Sequence, residues 1–81
     1  MKINYTQHLT KGKYEVHVDP VALYGWFEHE TLGDESGGGL WFGLENGVTS
    51  LMDYDGVFQL PKPVVDALRE LGYYVNPEYF E

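Results

Sequence analysis

The side chains of this chain that could do chemistry are three histidines and a large excess of carboxylates. Glu15 and His17 are two residues apart, and His29 sits between Glu28 and Glu30. Imidazole and carboxylate groups can hold a metal or relay a proton, but a zinc site needs three or four ligands converging on one point. On an alternating strand Glu15 and His17 share one face, whereas His29 points away from Glu28 and Glu30. The pattern is scattered and reads as ordinary strand residues, so we expect no metal and no cofactor. Asp53-Tyr54-Asp55-Gly56 has only a superficial likeness to a calcium loop, which needs Gly at its sixth position and Glu at its twelfth. Counted from Asp53, Gly56 is fourth and the twelfth residue is Val64. The glycine-rich stretch Gly33-Asp34-Glu35-Ser36-Gly37-Gly38-Gly39 is followed by Leu40 and Trp41. A phosphate-cradling loop needs Lys and Ser or Thr there, and Asp34 and Glu35 would repel a phosphate. There is no cysteine, and neither Ser36 nor Ser50 falls in a strand–turn–helix elbow. The expectation is a protein that is not an enzyme.

What the carboxylates can do instead follows from their distribution. Thirteen Asp and Glu against five Lys and Arg give a net charge of −8. Between Lys13 and Lys62 there is no Lys or Arg, while the same stretch holds Glu15, Asp19, Glu28, Glu30, Asp34, Glu35, Glu45, Asp53 and Asp55. An ordinary soluble surface intersperses both signs. Direct binding to nucleic acid rests on neutralising phosphates with Lys and Arg, so it is excluded as the default. Docking on an anionic membrane is disfavoured for the same reason. Carboxylates at i and i+2, as in Glu28/Glu30 and Asp53/Asp55, stand about 6.6 Å apart on a strand, comparable to successive phosphates along a nucleic-acid strand. The partner this points to is a basic protein surface.

In charge, size and lack of a catalytic motif, the chain resembles the small acidic inhibitors of phages and mobile elements, including anti-CRISPR and anti-restriction proteins. That likeness implies a DNA mimic that blocks a nucleic-acid-binding protein in the cytoplasm of a bacterial host. Glu28, Glu30, Asp34, Glu35, Asp53 and Asp55 would stand in for phosphates, with Trp26, Trp41 and Tyr54 as anchors. Aromatic content is high, at 16%, and Tyr and Trp are enriched where interfaces carry their energy. Tyr24, Trp26, Trp41, Met52 and Tyr54 are expected to share one sheet face with Glu28 and Glu45. The competing expectation is a homodimerisation or protein-interaction module built on that face, its acidity serving only solubility.

The elements that must position these residues form one domain over residues 1–81, since a chain this short buries only about 60% of the surface exposed on unfolding. Asn46-Gly47 and Asp55-Gly56 are both turn dipeptides that accept positive φ. Taken as two hairpins, they place Leu40, Phe42, Leu44, Thr49, Leu51, Asp53, Phe58 and Leu60 on one apolar face. Tyr14 to Asp19 alternates as a strand with Tyr14, Val16 and Val18 inward. Asp19-Pro20 opens a short turn, Gly25 to Glu30 is another strand, and Thr31 to Gly39 reads as a connecting loop. An edge strand is placed around Ile3-Asn4-Tyr5. Pro61 to Leu71 is the one helix candidate, with Val64, Ala67, Leu68 and Leu71 on one stripe and Gly72 suited to end it. Tyr73 to Val75 returns as a short strand, and Tyr79 and Phe80 anchor a tail over residues 76–81. The fold expected is α+β: an antiparallel meander of four to five strands, spanning about residues 13–60, with one C-terminal helix packed on one face. The first eight residues contain no apolar secretory core, and no window reaches the roughly 18 apolar residues of a membrane span.

Overall fold

The computed structural model describes residues 6–80, without the side chains of residues 33–36. Five antiparallel strands, β1 (Gln7–Lys11), β2 (Tyr14–Asp19), β3 (Tyr24–His29), β4 (Gly33–Glu45) and β5 (Val48–Tyr54), pair in chain order. The helix α1 (Lys62–Glu70) and a single 3₁₀ turn (Pro77–Tyr79) follow. No helix among the described residues is long and apolar enough to cross a membrane.

Alternation sends Val16 and Val18 of β2, Phe27 of β3, Leu40 and Phe42 of β4 and Leu51 of β5 to one side, where all are buried. Over β1 and β2 that side is closed by α1, which buries Val64, Val65, Ala67 and Leu68. A helix of nine residues does not persist alone in water. Burying each of the Val and Leu side chains is worth about 1.5–3 kcal/mol, and this holds the helix on the sheet. Leu71 N–H donates to the Ala67 carbonyl, and beyond it Gly72, at φ +98°, turns the chain. Gly72 and Tyr73 N–H donate to the carbonyls of Arg69 and Leu68, closing the left-handed cap.

The rest of the inner face is covered by the returning C-terminal segment. Tyr73 packs on Phe42, its ring centroid 4.9 Å away, and its hydroxyl bonds the Gln7 side chain on β1. Tyr74 forms a parallel bridge with Ser50, so this return covers the edge of β5. Tyr79 stacks edge-on against Tyr54 and donates its hydroxyl to the Met52 carbonyl. Asp19 accepts from the N–H groups of Val21 and Ala22, which makes the short turn expected at Asp19-Pro20.

The strand at the sheet's edge is β1, at residues 7–11; the expectation around Ile3, Asn4 and Tyr5 lies outside the described residues. Three other sequence expectations are corrected. The stretch expected as a loop is strand from Gly33 onward. Its glycines admit other backbone, and a Cβ on Gly38 would overlap the Asp55 carbonyl oxygen. Asp55-Gly56 makes no second hairpin. Asp55 instead stays beside β4, where its carboxylate accepts from Gly39 N–H at 2.6 Å and its own N–H reaches the Gly39 carbonyl. Residues 57–60 are therefore not a strand, and Phe58, expected in the core, is 94% exposed.

The third correction concerns Tyr54. The Asn46-Gly47 hairpin forms with both residues at positive φ, and the pairs that a two-residue turn there sets, Glu45↔Val48, Leu44↔Thr49 and Phe42↔Leu51, are present. The register then slips by one: Trp41 pairs with Asp53 and Leu40 with Tyr54. One extra residue in a strand flips every later side chain to the other face. The bulge at Met52 thus gives the Tyr54 ring to the core side and leaves the Asp53 carboxylate exposed. A buried, unpaired carboxylate would be costly, which is why the slip is favoured.

Candidate functional site

The face of the sheet away from α1 carries the side chains that alternate with the core. His8 of β1 lies directly opposite His17 of β2, and His17 opposite Trp26 of β3. The three rings stack in that order, with centroids 4.4 Å and then 4.7 Å apart and planes within 19°. Trp26 is paired in turn with Gly39, which has no side chain to continue the row. The Trp41 ring leans into that space, since a Cβ on Gly39 would come within 2.8 Å of it. Trp41 meets Tyr24 edge to face at 5.5 Å. Tyr24, Trp26 and Trp41 keep 39–40% of their surface exposed, and Met52 keeps 47%. Between Tyr24, Trp26 and Glu28 on β3 and Gly37 to Gly39 on β4 lies a cleft of about 250 Å³.

Carboxylates flank the rings. Glu15 and Glu28 are direct cross-strand partners and both half-buried. Like charges placed opposite each other destabilise a sheet. Glu15 is in addition 3.1 Å from His8 Nε2. Burial lowers the His17 pKa below its ordinary value of 6.5, and the neighbouring His8 lowers it further, against the opposing pull of Glu15 and Glu28. His17 is therefore held towards its neutral form. Two of the described cations are engaged elsewhere: Lys11 pairs with Glu70 of the helix, and the Arg69 guanidinium sits over the Phe80 ring at 4.9 Å.

Comparison with protein-family models, curated proteins and solved structures finds no match. Function must therefore be read from the site itself.

Of the residues expected to contact a partner, Glu28, Trp26 and Trp41 come together on this face. Asp53 is exposed and pairs in register with Trp41, and Asp55 is exposed but spends its carboxylate on Gly39. Glu30 is exposed in the turn after β3, outside the ladder. The side chains of Asp34 and Glu35 lie outside the described residues. Tyr54 faces the other way and donates its hydroxyl to the Phe58 carbonyl. His29 Nδ1 accepts from Thr31 and Leu32 N–H groups, a turn-stabilising role. The residue that sequence reasoning missed is His8. A turn at Lys11-Gly12-Lys13 was its signal: Gly12 has φ +59°, and pairing Lys11 with Tyr14 across it sets His8 against His17.

Proposed function

We propose that this chain is a small non-enzymatic binding protein that uses the helix-free face of its sheet to occupy a basic surface of a partner protein. The surface it fits is one that otherwise receives nucleic acid, as in inhibitors of the anti-restriction and anti-CRISPR kind. One observation carries the proposal: half-buried Glu15 and Glu28 stand opposite each other beside exposed Trp26, Tyr24 and Trp41, in a stretch of chain with no Lys or Arg from residue 14 to residue 61. Aromatic faces attract guanidinium and ammonium groups, and carboxylates pair with the same groups in charge-assisted hydrogen bonds. The cleft between Trp26, Tyr24 and Glu28 has room for one such side chain.

A second copy of this chain is the less fitting occupant. An isologous pairing brings one patch against itself, so the Glu15/Glu28 pair of each copy would meet carboxylates.

The test is an NMR titration of the labelled chain with an arginine-rich peptide and with a counterpart whose arginines are replaced by glutamine. Shifts confined to outward residues of β2–β4, with affinity falling steeply as salt rises, are expected from the arginine peptide alone. Glu15→Lys/Glu28→Lys should abolish binding while the thermal melt survives. Binding by both peptides, insensitivity to salt, shifts on the helix side, or full binding by the charge-reversed variant would sink the proposal. Self-association that grows with salt would favour the homodimer instead.

A further inference from the structure

We propose that His8, Glu15 and His17 form a binding site for a divalent transition-metal ion of the zinc class on the outer face of β1 and β2. The metal site does not rest on the proposed partner binding, but the two share Glu15, so an ion held there would compete with a basic side chain for that carboxylate.

The three residues come from the two simplest relations a sheet offers. Glu15 and His17 are i and i+2 on β2, hence on one face, and His8 is the direct cross-strand neighbour of His17. One ligand atom from each lies within 4.8 Å of the other two. His8 Nε2 and Glu15 Oε1 are 3.1 Å apart. Bonds of about 2.0–2.1 Å in a tetrahedral zinc site put neighbouring ligand atoms roughly 3.3 Å apart, so this pair already spans one edge of the polyhedron. His17 has to turn to complete the set, with a smaller adjustment of His8 away from its hydrogen bond to Glu15.

The donor chemistry selects the ion. Two imidazoles and one carboxylate, with water in the remaining position, make an open three-ligand zinc site. Magnesium and calcium prefer all-oxygen shells, whereas imidazole suits zinc, copper and nickel. Charge points the same way: Glu28, opposite Glu15, adds a second carboxylate that two positive charges would offset. The cluster holds two histidines from neighbouring strands and is more than a patch of surface acid.

Stacking provides the reporter. The rings of His8 and His17 lie face to face, so their nitrogens cannot both point at one ion as they stand. Capture turns the His17 ring edge toward Glu15 and takes it out of its stack on Trp26. Zinc has a closed shell and does not itself undergo redox chemistry, so a change in Trp26 emission would report this movement.

The experiment is a titration of the full chain with Zn²⁺, followed by calorimetry and by tryptophan emission in a Trp41→Phe background. Saturable binding of a single ion at micromolar concentrations is expected, together with a change in Trp26 emission. Co²⁺ should give the visible absorption of a four-coordinate site. His8→Ala and Glu15→Gln should each weaken binding at least about tenfold, since even groups behind the ligands change metal affinity by that much. His29→Ala, whose imidazole is engaged in the turn after β3, and Glu78→Gln, near the C-terminus, should bind as the parent does. Absence of saturation, equal affinity for Mg²⁺, or unchanged affinity in a folded His8→Ala variant would each overturn the site. Circular dichroism melts of each variant establish that it is folded.

Discussion

The two faces of the sheet are built from the same strands and differ in what closes them. On the inner face Val16, Val18, Phe27 and Leu40 are wholly or almost wholly buried under α1 and the returning tail. On the outer face, one residue away along each strand, His17 stacks on Trp26 and Trp41 meets Tyr24 edge to face, both indole rings stay exposed, and Glu15 and Glu28 are opposed beside them. The inner face is what a small fold requires. The outer face departs from what stability alone would select, because it keeps large rings in water and sets like charges together. A departure of that kind, confined to one face, is what locates the candidate site.

The neighbours Phe27 and Trp26 on β3 provide the largest break in this contrast. Phe27→Ala empties a fully buried position and should cost about 3–5 kcal/mol, enough to unfold much of a domain this small; urea denaturation checks it. Trp26→Ala removes a larger ring but should cost only about 1 kcal/mol, on the scale of a cross-strand pair, and should weaken binding of the arginine-rich peptide. Equal costs for the two would erase the distinction between the faces.

Glu28→Gln sharpens the contrast in the opposite direction. Relieving the Glu15–Glu28 opposition should stabilise the fold by roughly 0.2–1 kcal/mol, visible as a higher melting temperature, while weakening the basic-peptide complex. A destabilised variant would mean that the pair is already compensated inside the sheet.

The smallest effect is in pH. Because the folded pKa of His17 lies below its ordinary value of 6.5, the unfolded chain takes up its proton first as pH falls. The stabilisation is complete above pH 6.5 and is lost as pH falls from there through the folded pKa. His17→Gln should flatten that slope in a series of melts; a slope unchanged by the substitution would reassign it to other groups. At the alkaline end burial raises the Tyr73 pKa above 10.0, aided by Asp19, so its contribution is present below that value and lost as the phenol ionises.

Legibility from sequence followed the range of the interactions. The Asn46-Gly47 turn, the β2 strand and the helix with its Gly72 cap depend on a few adjacent residues, and each stands where local chemistry puts it. The bulge at Met52 depends on whether the core takes a Tyr54 ring or an Asp53 carboxylate, a choice that exists only once the sheet is packed. The glycine-rich stretch looks like a loop by composition, yet its missing side chains serve close backbone approach to Asp55. The acid-rich, base-free middle of the chain was visible at once. The stack of His8, His17 and Trp26 was not, because β1 has a weak pattern of its own and is placed by pairing.

The strand order has a kinetic consequence. Every pairing in β1-β2-β3-β4-β5 joins neighbours along the chain, so contact order is low and the sheet should assemble quickly. The final closure is of another kind: it ties Tyr73 to Gln7 across 66 residues and lays Tyr74 beside Ser50. Bonds formed after the rate-limiting step govern escape from the native state more than arrival at it. In stopped-flow measurements, Tyr73→Phe should therefore hasten unfolding and leave the folding rate nearly unchanged. The tail acts as the latch on the fold's lifetime, while the meander sets its speed of formation.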